Sequence, residues 1–251
     1  MPTFLAQLPA EETLSFWAKT QAQFNQSFVE ADRWKLYLEG LGTTLSITLL
    51  ALIIGVILGV LVAVVRSLHD QQRADSRPNP LLSALNGFCK VYVTVFRGTP
   101  MMVQLLIMNF VIFASSRNAF GVAVLAFGIN SGAYVSEIIR GGIMSVDGGQ
   151  MEAGRSLGLS YVPTMRFIII PQAVKNILPA LGNELIALLK ETSIVTIIGI
   201  RDITKVAMSI QSMTYQALMP YLGIAAVYLA LVMLLTWLLG KLEKRLRNSD
   251  R

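Results

Sequence analysis

Residues 145–171 read SVDGGQMEAGRSLGLSYVPTMRFIIIP, a polar, glycine-punctuated stretch lying between two long apolar runs. Asp147 followed three residues later by Gln150 reads as a variant capping box that opens a helix. Gly158 stands where a left-handed residue would stop that helix. The helix so bounded, residues 148–157, is too short to persist in water, because isolated helices below about 12 residues are marginal. It is therefore expected to pack on something. Glu152 and Arg155 stand among the small residues Ala153, Gly154 and Ser156, which let a partner approach the backbone closely. The stretch predicts a short docking helix on the face of a larger body.

Composition says what that body is. The chain has 251 residues, 54% hydrophobic and only 14% charged, against about 25% charged in soluble domains. It is an integral membrane protein. A net charge of +6 calls for no nucleic acid if the basic residues gather on one side of a bilayer. The single Cys89 excludes an intramolecular disulfide. His69 is the one histidine, with no metal-ligand companions, and is expected to be solvated. No catalytic set, metal site or phosphate-binding GxxxxGK[ST] loop is present, so the chain is not expected to be an enzyme or to bind a cofactor. No secretory signal peptide or internal repeat is visible.

Working outward, residues 1–40 are mixed, with Trp17 and Trp34 placed to anchor an interfacial helix. A first span covers residues 42–65, with Gly55 and Gly59 as a close-packing face. A polar loop, RSLHDQQRADSRPNP, follows at 66–80. Residues 81–97, interrupted by Asn86, Lys90 and Arg97, read as an interfacial elbow before a second span at 101–114. The third span covers 120–139 and the fourth 173–190, with Pro179 and Gly182 as kink points. Residues 191–200 are expected to bend within the membrane, 201–217 to be polar, and 218–239 to form the fifth span before the basic tail 241–251. The fold expected is an all-α integral membrane protein of about five transmembrane helices, its membrane domain covering 41–240.

The spacing Glu152-Ala153-Gly154, then Gly158, then Ile168-x-Ile170-Pro171 resembles the EAA motif of ABC importer permeases, with Gly154 in place of the third Ala and Ile170 in place of Leu. Gly154 should soften the helix by up to ~1 kcal/mol relative to Ala. The segments Phe96-Arg97-Gly98-Thr99-Pro100 with Gln104, and Ser131 to Ile143, resemble the polar amino-acid uptake branch of histidine, glutamine and arginine permeases. The resemblance covers most of residues 40–240. It implies a type I permease fold whose 145–171 loop is a cytoplasmic coupling helix. Asp147, Gln150, Glu152, Ala153, Gly154, Arg155 and Gly158 would then face an ABC ATPase dimer that uses ATP and Mg. It further implies a second permease subunit, self or paralogue, and an extracytoplasmic amino-acid-binding protein.

With that loop inside, the inner segments hold Arg66, Arg73, Arg77, Lys90, Arg97, Arg140, Arg155, Arg166 and the five basic tail residues. The positive-inside rule agrees, placing the N-terminus outside and the C-terminus in the cytoplasm of a bacterial inner membrane. Ionisable groups in a span cost at least ~2.5 kcal/mol at the helix centre, so they mark bundle interiors or water-filled paths. Asn109, Asn130, Ser131, Tyr134, Glu137 and Glu184 are the substrate-pathway candidates on that ground, with Glu137 and Arg140 three apart and able to pair. The rival reading is a stand-alone secondary transporter or channel that uses the same intramembrane carboxylates.

Overall fold

The computed structural model describes residues 15–75 and 79–248; the expected features at 1–14, at 76–78 and in the last three tail residues lie outside the described residues. The described residues are helical almost throughout and contain no strand. α1 (Phe16–Phe24) begins the chain, followed by a π-helical turn (Asn25–Val29) and a 3-10 turn (Glu30–Asp32). Ala31 and Asp32 take φ of 52° and 54° there, which breaks the chain direction before α2 (Arg33–Asp75). Phe16 and Trp17 are exposed on α1.

α2 is 43 residues long, about 65 Å at 1.5 Å per residue, roughly twice the ~30 Å hydrocarbon core. Its apolar stretch crosses, and its ends project. Residues 66–75, expected as loop, continue the helix instead. The physical reason is that no Gly or Pro stands between Gly59 and Pro78, and the polar residues there are helix-compatible. His69 is consequently not solvated: it is 7% exposed, with Nδ1 3.5 Å from Asp70 Oδ1.

The expected elbow is also corrected. Residues Pro80–Gly98 form one 19-residue helix, α3, capped by Asn79. Asn86, Cys89 and Val93 are its buried residues, at helical spacing, while Lys90 and Arg97 point outward. An amphipathic helix carries polar residues without interruption. The chain then turns by 109° at Thr99–Pro100 into α4 (Met101–Ile107) and a π-helical turn (Met108–Ile112).

α5 (Ala119–Met144) is the most buried helix. It leads to α6 (Gly148–Ser156), α7 (Tyr161–Thr164) with a π-helical turn (Met165–Ile169), and α8 (Ile170–Glu191), which carries Pro179 inside it. A 3-10 segment (Thr192–Ile198) ends at Gly199. The polar stretch 201–217, for which no helix was expected, holds α9 (Ile203–Thr214). Asp202 caps it, accepting from Lys205 N at 2.9 Å and Thr204 N at 3.1 Å, and Ile203, Val206, Ala207 and Ile210 bury one face. α10 (Leu218–Asn248) runs on through the expected end of the fifth span into the tail. By length and composition, three described helices can cross a membrane, or four if the bent α3–α4 pair is counted as one span. α8, less apolar, packs between α5 and α10.

The long α2 sets the heights of the other elements. Near its start, Thr44 Oγ1 accepts the Ile203 N–H at 3.3 Å, so α9 sits at that end. Near its finish, Ser67 and Asp70 share a cleft with α6. α6 and α9 therefore lie at opposite ends of the bundle. Between them α2 crosses α5 through two small-residue faces, Gly55/Gly59 and Gly128/Gly132, each a GxxxG spacing. A Cβ added at Gly59 would lie 2.5 Å from Val135 Cγ1 and 2.7 Å from its Cβ. Without a hydrophobic drive between helices in lipid, such close approach is what holds them. Gly59→Ala is expected to push the two helices apart and cost about 1 kcal/mol, the low end for overpacking; a thermal shift in detergent that left the midpoint unchanged would refute this.

Candidate functional site

α6 forms because both of its ends are satisfied. Asp147 Oδ1 accepts the Gly149 N–H at 2.9 Å. The Gln150 side chain, expected to complete a capping box, instead accepts from Gln172 Nε2 of α8 at 3.4 Å. At the other end Gly158 takes φ of +77°, Leu159 N–H reaches Gly154 O at 3.0 Å, and Gly158 N–H reaches Arg155 O at 2.9 Å. That is a Schellman closure, which favours glycine at the left-handed position. Gly154, expected to soften the helix and to face a partner, is instead buried as the packing contact of α6 within this chain. A Cβ there would lie 2.6 Å from Thr164 Cγ2 and 2.8 Å from Thr164 Oγ1, and Thr164 is wholly buried.

The other side of α6 faces outward. Glu152, Ala153, Arg155 and Gly158 are exposed, and Leu157 is 79% exposed. A cleft of about 460 Å³ beside it is lined by Asp70, Arg140, Asp147, Met151, Glu152 and Arg155 among others. A second tie fixes the loop to α8: Asn176 Nδ2 donates to Ser145 Oγ at 2.8 Å. Gln150 thus links α6 to α8, Ser145 links the preceding turn to α8, and Gly154 seats α6 on Thr164 of α7.

The second cluster lies at the break between α3 and α4. Its height is set by the partners of α3 on α5: Tyr92 donates to Ile129 O, and the Arg97 guanidinium lies 5.2 Å from the Tyr134 ring centre. These contacts fall near the middle of the 26-residue α5. A helix broken at mid-height leaves carbonyls without partners, where no water replaces them in lipid. Gln104 and Asn130 supply the partners. Gln104 Nε2 donates to Phe96 O at 2.9 Å and Thr99 O at 3.0 Å, and Asn130 Nδ2 donates to Phe96 O at 3.0 Å and Gln104 Oε1 at 2.9 Å. Asn130, expected to line a pathway, is 4% exposed and is spent on this cap.

The other candidates divide. Ser131, fully buried at the α2–α5 crossing, donates to Glu184 Oε1 at 2.7 Å. Glu137 pairs with Arg140, Nε to Oε2 at 3.6 Å, as its spacing predicted, and also with Arg66 of α2. Tyr134 is 37% exposed beneath Arg97. Asn109, half-buried in the π-helical turn, stands outside these networks. The structure thus brings Asn130 into the helix-break cap and Ser131 and Glu184 into one pair, and leaves Asn109 apart.

Sequence reasoning missed Arg66, whose partner is 71 residues away and carries no local signal. It missed Gln104 as a cap, although Thr99-Pro100 marked the break. It also placed Arg97 with the inner basic residues, whereas the structure sets it near mid-height, exposed over Tyr134. On α8, Gln172, Asn176, Asn183 and Lys190 are exposed on one face, a polar stripe at helical spacing.

Residues 81–248 match the family described as binding-protein-dependent transport system inner membrane component. The chain is 43% identical over 162 residues to the arginine transport system permease protein ArtQ of Bacillus subtilis, covering 63% of this chain and 74% of that one. It is 37% identical over 166 residues to the glutamine transport system permease protein GlnP of Escherichia coli K12, covering 64% and 76%. Among solved structures, an amino acid ABC transporter crystallised with histidines matches at a TM-score of 0.77 and 40% identity, over 93% of this chain and 99% of that one. The inward-facing MetNI methionine ABC transporter matches at 0.71 and 18% identity, over 87% and 99%, a likeness of fold alone. The chain belongs to the binding-protein-dependent transport system inner membrane components, and it has the type I fold of an ABC importer permease.

Proposed function

We propose that this chain is the permease subunit of an ATP-driven importer of polar amino acids. The observation that carries the reading is α6: a capped nine-residue helix with Glu152, Ala153 and Arg155 outward, tied to α8 through Gln150 and, in the turn before it, through Ser145. Such a helix suits a groove in a separate ATPase, where ATP and Mg are used; this chain binds neither. Closure of the ATPase dimer moves α6, and the ties at Gln172 and Asn176 carry that motion to α8. Two permease subunits, identical or paralogous, enclose the path between them. The polar stripe on α8 suits the wall of that path, and Tyr134, Glu137 and Glu184 are the further candidates for it. An extracytoplasmic binding protein delivers the substrate at the α9 end. The arginine and glutamine named for the relatives favour a polar amino acid.

The same reading sets the orientation. With α6 inside, Arg66, Arg73, Arg140, Arg155, Arg166 and the basic tail lie at the cytoplasmic end, as the positive-inside rule favours. Residues 15–40 then lie outside, with α1 along the interface through Phe16 and Trp17.

The test is co-purification of the full chain with the ATPase of its transport system, followed by uptake into vesicles. ATP-dependent uptake and a complex that Glu152→Arg weakens are the expected results. Uptake by the chain without the ATPase would replace this reading with a stand-alone carrier.

A further inference from the structure

α2 and α8 both pack against α5, and between them toward the α6 end lies a groove of about 620 Å³ with Ile139 and Ile143 of α5 in its lining. One wall is Val56, Val60, Ala63 and Ser67 of α2. The other is Ile170, Val174, Ile177 and Leu181 of α8. Each wall spans twelve residues of helix, about 16 Å end to end at 1.5 Å per residue, which is close to half of a ~30 Å hydrocarbon core. The groove is thus apolar over the depth of one leaflet.

Its mouth is different. Arg166 lines the α6 end, exposed, and makes no ion pair among the described residues. Its guanidinium lies 5.5 Å from the ring of Phe167, itself 69% exposed, beside Ser67 and Tyr161. An aromatic ring and an arginine at the end of an apolar track are what a membrane interface selects. The carboxylates of Asp70, Asp147 and Glu152 line the neighbouring cleft rather than this groove. The polar stripe of Gln172, Asn176, Asn183 and Lys190 lies on the opposite side of α8 from Val174, Ile177 and Leu181, so a second permease facing that stripe leaves the groove uncovered.

We propose that this groove is a binding site for an anionic glycerophospholipid, with one acyl chain between α2 and α8 and the phosphate on Arg166. A guanidinium holds a phosphate through paired N–H donors, which a zwitterionic headgroup offsets with its own cation. The bound chain fills the space behind α7 and braces the platform on which α6 rests. The site does not depend on which substrate the permease carries.

Native mass spectrometry of the purified full chain, titrated with phosphatidylglycerol or phosphatidylcholine of the same acyl chains, tests it. The expected result is one phosphatidylglycerol held about fivefold more tightly than phosphatidylcholine, the contribution of one basic residue near a lipid phosphate. Arg166→Gln should bring the two lipids level, and Val60→Trp, which fills the groove, should weaken both. Because Val60→Trp can misfold, Val174→Trp gives a second readout: its fluorescence should be quenched by phosphatidylglycerol brominated along the acyl chain. Equal affinity for the two lipids in the wild type would overturn the proposal. So would displacement by inorganic phosphate, which would mean a bare anion site, or absence of quenching, which would mean that another chain covers the groove.

Discussion

Gly154→Val should lower ATP-driven uptake by about five- to 150-fold while leaving the membrane bundle folded. The argument rests on one contact. Even a single Cβ at this position would sit 2.6 Å from Thr164 Cγ2, and Thr164 cannot retreat because it is wholly buried and donates to Ser160 O at 3.0 Å. Overpacking of this kind costs roughly 1–3 kcal/mol, which changes the ratio of seated to unseated α6 by about five- to 150-fold. The damage should be local, since the main packing of α6 is on α7 and its π-helical turn, with Gln150 tying it to α8. A thermal midpoint near wild type is therefore expected beside the loss of uptake. A paired substitution separates fit from chemistry: Thr164→Ala removes the two atoms nearest the new Cβ and leaves only Thr164 Cβ at 3.3 Å, so Gly154→Ala with Thr164→Ala should recover most of what Gly154→Ala alone loses. Non-additivity of that size is the signature of two groups in contact. Full uptake by Gly154→Val would show that α6 transmits no force through Thr164.

This contact also marks how far the chain could be read from its letters. The existence and ends of α6 were legible, because Asp147 and Gly158 act on the backbone within a turn of themselves. So were the long apolar crossings, and the packing role of Gly55 and Gly59, since a small-residue spacing needs only one helix to be seen. What Gly154 packs on was not legible, nor that Gln150 would reach Gln172 rather than its own helix end. The continuation of α2 through His69 and the existence of α3 and α9 were hidden for a different reason. These helices are amphipathic, so their polar residues interrupt an apolar run without interrupting a helical face. Among the candidate site residues, Glu137 and Arg140 paired as their spacing allowed, yet Arg66 joined them from another helix. The polarity of Asn130 was read correctly as unusual and assigned to a path. Its side chain answers a more local need, the carbonyls exposed by the turn at Thr99–Pro100.

Asn130→Leu is accordingly expected to act on stability rather than on substrate recognition. Leucine is close to asparagine in reach but donates nothing, so Phe96 O loses one of its two side-chain donors and Gln104 Oε1 loses its own. Hydrogen bonds between membrane helices average only about 0.6 kcal/mol, because the unfolded helices find other partners. That discount does not apply in full here. The acceptors sit at a backbone break near mid-height, where a lost partner is replaced by neither water nor a continuing helix. An unsatisfied buried acceptor costs about 1–3 kcal/mol; Gln104 Oε1 is the one left without a donor, while Phe96 O keeps Gln104 Nε2, so the loss should be about 2 kcal/mol, more than the Gly59→Ala crowding. The check is thermal unfolding of the full chain in detergent, read with substrate affinity of the assembled transporter. A lowered midpoint with affinity intact assigns Asn130 to the helix break. Affinity lost with the midpoint unchanged would instead return it to the pathway, and would mean that Gln104 alone suffices to hold the 109° bend between α3 and α4.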